Sequence, residues 1–142
     1  MNKPLVSHVG IAVNDLDEAM LKYRLLTGDS EPEVCEVPDQ KVRVAIFSKA
    51  SRNTGGGGRV ELLAPTSSDS PIAKFIAKRG EGLHHICIYV DDIEKKLAEM
   101  KSDGVELIDD KPRRGAEGSL IAFVHPRSTN GVLIELEQMI TK

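Results

Sequence analysis

The chain has no apolar run approaching the roughly 20 residues that a membrane-spanning helix needs, and Met1–Gly10 lacks the charged and apolar regions of a secretory signal. Two cysteines, Cys35 and Cys87, are too few for a disulfide scaffold. Without an export signal they are expected to be reduced thiols. There is no excess of charge of either sign: 19 Lys and Arg stand against 22 Asp and Glu, a net charge of −3. That balance gives no general attraction for nucleic acid or anionic lipid. The expectation is a soluble, cytoplasmic protein whose 142 residues form a single domain, with 40% apolar residues to build the core.

What the chain does have is an internal repeat. His8–Leu16 and His85–Ile93 match position by position at an offset of 77: a histidine, apolar residues at alternate places, then a turn Asp and an aliphatic residue. Each segment leads into a helical stretch, Leu16–Thr27 or Ile93–Asp103, with Asp15 or Asp92 placed to cap it and Gly28 or Gly104 placed to end it. The strands Val42–Ser48 and Leu120–His125 share the same offset. Arg59–Leu63 and Val132–Glu137 follow at an offset of 74, and each carries an acidic residue in an apolar strand, Glu61 and Glu135. Weaker strands fall around Glu33–Val37 and Glu106–Asp109, and the run Gly55–Gly58 reads as a hairpin loop. The pattern predicts an α+β fold of two βαβββ modules, about 5–66 and 82–139. A connecting helix of about 70–79 is capped by Ser70 and begins at Pro71. One such module is too small to bury both sheet faces alone, so both belong to one domain.

Strand alternation assigns the faces. Val9, Ile11 and Val13, like Ile86, Ile88 and Val90, form the aliphatic faces expected to carry the helices. His8 and His85 begin the opposite faces, where Glu61 and Glu135 also stand. Folded as pseudo-symmetric halves, the four side chains would converge. Two imidazoles with two carboxylates suit one borderline divalent ion per chain, such as Co, Mn, Ni or Zn. His84 has the wrong parity and reads as structural. His125, beside Pro126, could contact substrate or close a turn. Cys87 shares the ligand face and reads as a buried small side chain, with a soft-ligand role as the alternative.

With its paired His and Glu, the repeat resembles the vicinal-oxygen-chelate superfamily (glyoxalase- and bleomycin-resistance-like proteins) across essentially the whole chain. Within it, Ser70–Phe75, Gly80–Ile86 and His125–Leu136 resemble the methylmalonyl-CoA epimerase family. The resemblance implies an open, cup-shaped mixed β-barrel with helices outside, and a chain that pairs as a homodimer. It implies an isomerase that interconverts (2R)- and (2S)-methylmalonyl-CoA by α-proton transfer through a metal-stabilised enolate. His8, Glu61, His85 and Glu135 are then the metal positions. Glu135 is the matching acid/base, and Glu61 is taken as the second proton-transfer group. Some relatives carry a further glutamate where this chain has Val44. Arg113, Arg114 and Gly115, in the basic loop Lys111–Gly118, are the candidate contacts for the phosphates of CoA, with Lys74, Lys78 and Arg79 a second basic set. The alternatives are a lactoylglutathione lyase acting on a hemithioacetal, and a non-catalytic small-molecule-binding protein of the same fold.

Overall fold

In the computed structural model, residues 4–48, 56–115 and 118–140 are described. Among them lie eight strands and three α-helices. They are β1 (Val6–Ala12), α1 (Leu16–Thr27), β2 (Glu33–Val37), β3 (Val42–Phe47), β4 (Arg59–Pro65), α2 (Pro71–Arg79), β5 (Gly82–Tyr89), α3 (Ile93–Ser102), β6 (Arg113–Arg114), β7 (Leu120–Val124) and β8 (Ile134–Gln138). By their contacts the residues form two compact units, His8–His84 and a second made of Met1–Ser7 with His85–Lys142. No helix among the described residues is long and apolar enough to cross a membrane.

In the first unit the strands run β2-β3-β4-β1, antiparallel except for the parallel pair β1 and β4. α1 starts where the Asp15 side chain accepts the Glu18 N–H, and stops at Gly28, whose φ of 76° lets its N–H return to the Arg24 carbonyl. Leu16 and Met20, one turn apart, bury against Val13, Phe47 and Leu62. Phe47 and Leu62 are fully buried. Truncating such a side chain to Ala costs about 2–5 kcal/mol.

The aliphatic face therefore carries α1 as its alternation requires, but α2 does not follow that rule. Ile72, Phe75 and Ile76 pack on Ala12, Val42, Val44, Ile46 and Leu63, which share strand parity with His8 and Glu61. The expectation that helices keep to the aliphatic face thus fails at this point. Alternation along a strand does not show that small and apolar residues on the other face, Ala12 and Leu63, need a cover of their own. α2 is seated by three contacts: the Ser70 hydroxyl accepts the Ile72 N–H and donates to the Gln40 carbonyl, and Lys41 pairs with Asp69.

In the second unit the strands run β5-β8-β7-β6, with β5 and β8 parallel and the other pairs antiparallel. α3 is capped by Asp92, and its Ile93 and Leu97 bury against Val90, Ala122, Val124 and Leu136. The strand expected at Glu106–Asp109 reduces to a single bridge between Leu107 and Val124. The Ile108 and Asp109 N–H groups both point at the Phe123 carbonyl, so the ladder cannot advance there. Pairing with β7 resumes at Arg113 and Arg114. The strand expected from Val132 begins at Ile134, because Thr129 and Val132 close a turn on each other. Of the glycine run, Gly55 lies outside the described residues, while Gly58 adopts a φ of 75° just ahead of β4.

Hydrogen bonds from Lys41 and then Ser67 hold the Asp69 carboxyl down at about 2, below its ordinary 3.8. Its contribution to stability is full above pH 3.8 and fades as pH falls through about 2. Asp69→Asn is expected to lower the melting temperature at neutral pH, with the gap to the wild type closing between about pH 4 and pH 2. Thermal melts across that range check it.

Candidate metal and active site

Each module brings its histidine and its glutamate together at the same register, through Nδ1 in the first and Nε2 in the second. In the first unit, parallel pairing sets Gly10 directly beside Glu61, and His8, two residues earlier on the same face, reaches diagonally to the carboxylate. The His8 Nδ1 to Glu61 Oε2 distance is 3.4 Å. In the second unit Cys87 stands beside Glu135, and His85 reaches across the same diagonal, with Nε2 3.3 Å from Oε1. His8, His85 and Glu135 are buried, and Glu61 is nearly so.

These spacings are longer than an optimal N–H···O bond. They match the separation of about 3.0–3.5 Å between neighbouring ligands that each sit roughly 2.0–2.2 Å from one cation. Imidazole nitrogen and carboxylate oxygen are also the donor types that borderline divalent ions take. On geometry and chemistry, each pair fits half of a metal site.

Around the pairs the modules differ. In the first, Arg59 is buried on the same face, directly across from His8, and its Nη1 donates to the Gly56 carbonyl at 2.9 Å. Its parity with Glu61 was visible in the sequence, although a charged residue at a strand start reads as a rim residue. In the second, the Glu137 carboxylate accepts the Ser7 hydroxyl at 2.8 Å and lies 3.6 Å from Cys87 Sγ. Burial pushes the Cys87 thiol far up, and the carboxylates of Glu135 and Glu137 add to the shift. Cys87 is buried, and its Sγ is the donor toward Glu137. Val44, at the position where some relatives were expected to carry an acid, lies in the apolar cluster under α2.

The other polar candidates separate by contact. His84 stands edge-on to Phe75, with ring centroids 4.9 Å apart, which makes it part of the packing against α2. The Arg79 guanidinium lies over the Phe75 ring, 6.0 Å from its centroid. His125 closes a turn: its Nδ1 accepts the Arg127 N–H at 3.0 Å at the head of the short helix Pro126–Ser128. Glu106 anchors the same turn through Arg127 at 2.9 Å.

In the basic loop, register divides the two arginines. Arg113 pairs with Ile121 and shares the face of Phe123 and Glu135, whereas Arg114 pairs with Leu120 and points to the opposite face. Gly115 donates to the Ser119 carbonyl, and a Cβ there would meet Ile121 Cγ2 at 2.7 Å and Ser119 Oγ at 2.9 Å. Close packing of the turn accounts for that glycine. Ala116 and Glu117 lie outside the described residues.

Residues 7–123 match the family model of the glyoxalase/bleomycin resistance protein/dioxygenase superfamily. The chain is 38% identical to the ethylmalonyl-CoA/methylmalonyl-CoA epimerase of Cereibacter sphaeroides, over 94% of this chain and 97% of that protein. It is 37% identical to the mitochondrial methylmalonyl-CoA epimerase of Homo sapiens, over 94% of this chain and 73% of the human protein. Among solved structures, a variant of the Streptomyces coelicolor methylmalonyl-CoA epimerase in complex with 2-nitronate-propionyl-CoA superposes with a TM-score of 0.84 at 36% identity, covering 99% of this chain and 100% of that one. The chain therefore belongs to the glyoxalase/bleomycin resistance protein/dioxygenase superfamily and, within it, to the family of the methylmalonyl-CoA epimerases.

Proposed function

We propose that this protein interconverts (2R)- and (2S)-methylmalonyl-CoA by taking and returning the proton on the carbon between thioester and carboxylate. The observation that carries this reading is the doubled pair: in each module of a chain of this family, an imidazole stands against a carboxylate at an equivalent register. His8, Glu61, His85 and Glu135 are the proposed ligands of one divalent ion, and Co, Mn, Ni and Zn all accept such a set. When bound, the ion would supply Lewis-acid stabilisation of the negative charge that develops on the thioester oxygen.

Proton transfer falls to the chain's own carboxylates. Epimerisation requires a donor and an acceptor on opposite faces of a planar carbon. Glu135 is the proposed base on one face and Glu61, its repeat partner, the group on the other. Each carboxylate has a second oxygen beyond the one nearest its histidine, so holding an ion and moving a proton are compatible roles. Val44 offers no acid, and its packing under α2 supports the assignment to Glu61. Arg113, on the face of Glu135, is the proposed contact for a CoA phosphate. Arg114, on the opposite face, contributes only at longer range, and Gly115 serves by letting the loop turn. A cytoplasmic homodimer belongs to the same reading, supported by Cys35 and Cys87, which are not joined in a disulfide, and by the exposed Leu21, Leu25 and Leu26 of α1.

The function is tested by following α-proton exchange of methylmalonyl-CoA in D2O by NMR, with Co2+ present and absent, beside a hemithioacetal control. The wild type should exchange the thioester and leave the hemithioacetal unchanged. Glu135→Gln should slow exchange by about 100-fold or more. Glu61→Gln should slow it from one epimer more than from the other, and unchanged exchange from both removes Glu61 from the mechanism.

Calorimetric titration of the chelator-treated chain with Co2+ should give one equivalent per chain, with His8→Ala and His85→Ala each weakening it. Two independent equivalents would mean that the pairs do not share an ion.

Arg113→Ala should raise KM for methylmalonyl-CoA by about tenfold while leaving KM for methylmalonyl-pantetheine, which lacks the nucleotide phosphates, nearly unchanged. Arg114→Ala should have a smaller effect, and equal effects on the two esters would take the phosphate contact away from Arg113.

A further inference from the structure

The repeat places different residues across from its two glutamates. Ile46 stands directly opposite Glu61, and Phe123, its counterpart at the offset of 77, stands directly opposite Glu135. The Phe123 ring meets the His85 imidazole edge to face, at an interplanar angle of 84° with centroids 6.4 Å apart. On the ring's face sits the Arg113 guanidinium, its carbon 5.5 Å from the centroid. Asp109 ties both groups down: its Oδ2 accepts the Phe123 N–H at 2.8 Å and lies 3.5 Å from Arg113 Nη2. Phe123 is thus held by its backbone and by its face while its ring bears on His85.

An imidazole on a strand can swing about its terminal torsion, which has broad, shallow wells. A ring packed edge to face against it narrows that swing, because the ring quadrupole favours the perpendicular arrangement. We infer that Phe123 is a positioning residue that keeps the His85 imidazole turned toward Glu135, with Arg113 and Asp109 bracing the ring from the other side. The inference rests on the reading of His85 as a metal ligand. It adds that the second-module ligand is oriented by an aromatic brace, where the first module carries an aliphatic side chain. It also gives Arg113 a role that exists before any substrate binds. Groups that orient metal ligands from behind act on ion affinity, so the brace should be visible in the absence of substrate.

The test is a cobalt(II) titration of the full chain without substrate, read by visible absorption, on the wild type, Phe123→Ile and Arg113→Met. Phe123→Ile installs the first module's residue type and keeps a strand-compatible, β-branched side chain. It should weaken cobalt binding about fivefold to tenfold and change the ligand-field bands. Arg113→Met keeps much of the packing stem and removes the charge over the ring. It should weaken binding about twofold to threefold. Equal affinity in the wild type and Phe123→Ile overturns the inference. If Phe123→Ile does not fold, Arg113→Met decides, since its side chain is about half exposed (47%), and an unchanged affinity there overturns the brace. Melting temperatures without metal separate a loss of orientation from a loss of fold: an affinity loss only in proportion to unfolding also overturns the inference. A wild-type chain that takes up no cobalt overturns the metal reading, and this inference with it. Cobalt uptake that is indifferent to Phe123 overturns the inference alone.

Discussion

A buried imidazole held against a carboxylate, once in each module, is the constraint around which the rest of this structure is arranged. Withdrawing such groups from water is costly unless each finds a compensating partner. The chain meets that requirement through backbone register. The first and last strands of each module run parallel, which needs a long crossover, and the α-helix and two intervening strands provide it. The same register sets Gly10 beside Glu61 and Cys87 beside Glu135, so a small side chain flanks each carboxylate and leaves the diagonal open to the histidine. The helices α1 and α3 then act on the opposite face. Leu16 and Met20 in one module, and Ile93 and Leu97 in the other, anchor the sheets from behind.

Duplication preserves these pairs but not their surroundings. In the first module α2 closes the far end of the ligand face over Ala12, Val44 and Leu63, giving a dry, apolar boundary. In the second, the corresponding positions carry Tyr89, Ile121 and Glu137, and Ser7 and Cys87 both donate to the Glu137 carboxylate. An enzyme acting on both faces of one carbon needs symmetry in the groups that move the proton. It also needs asymmetry in the groups that distinguish a methyl, a carboxylate and a thioester. Equivalent His–Glu pairs in unlike surroundings are what the proposed proton transfer would require. Arg113, the arginine on the face of Glu135, also belongs to the second module.

Much of this is legible in the sequence, for reasons that can be named. The helix α1 was readable to the residue because Asp15 and Gly28 are local signals, a side-chain cap at one end and a left-handed residue at the other. The His and Glu pairs were readable because a repeat exposes equivalent residues that would look incidental alone. Three features were not. The segment Glu106–Asp109 has strand-like composition, but its N–H groups converge on one carbonyl, a long-range event that composition does not encode. The place of α2 depends on which surface is left uncovered after α1 has packed. Arg113 and Arg114 look alike in the loop, and one residue of register sends them to opposite faces.

The sequence by itself determined the duplicated module, the caps that bound its helices, the parity of each strand and the identity of the four proposed ligand side chains. These are local or periodic properties, written in neighbouring residues and in an offset of 77. Only the tertiary structure decided that each imidazole lies within 3.4 Å of its carboxylate, that Cys87 is a donor to Glu137, and that Phe123 stands between His85 and Arg113. Those facts arise from the register between strands far apart in the chain, and register is set by which apolar faces must be buried together.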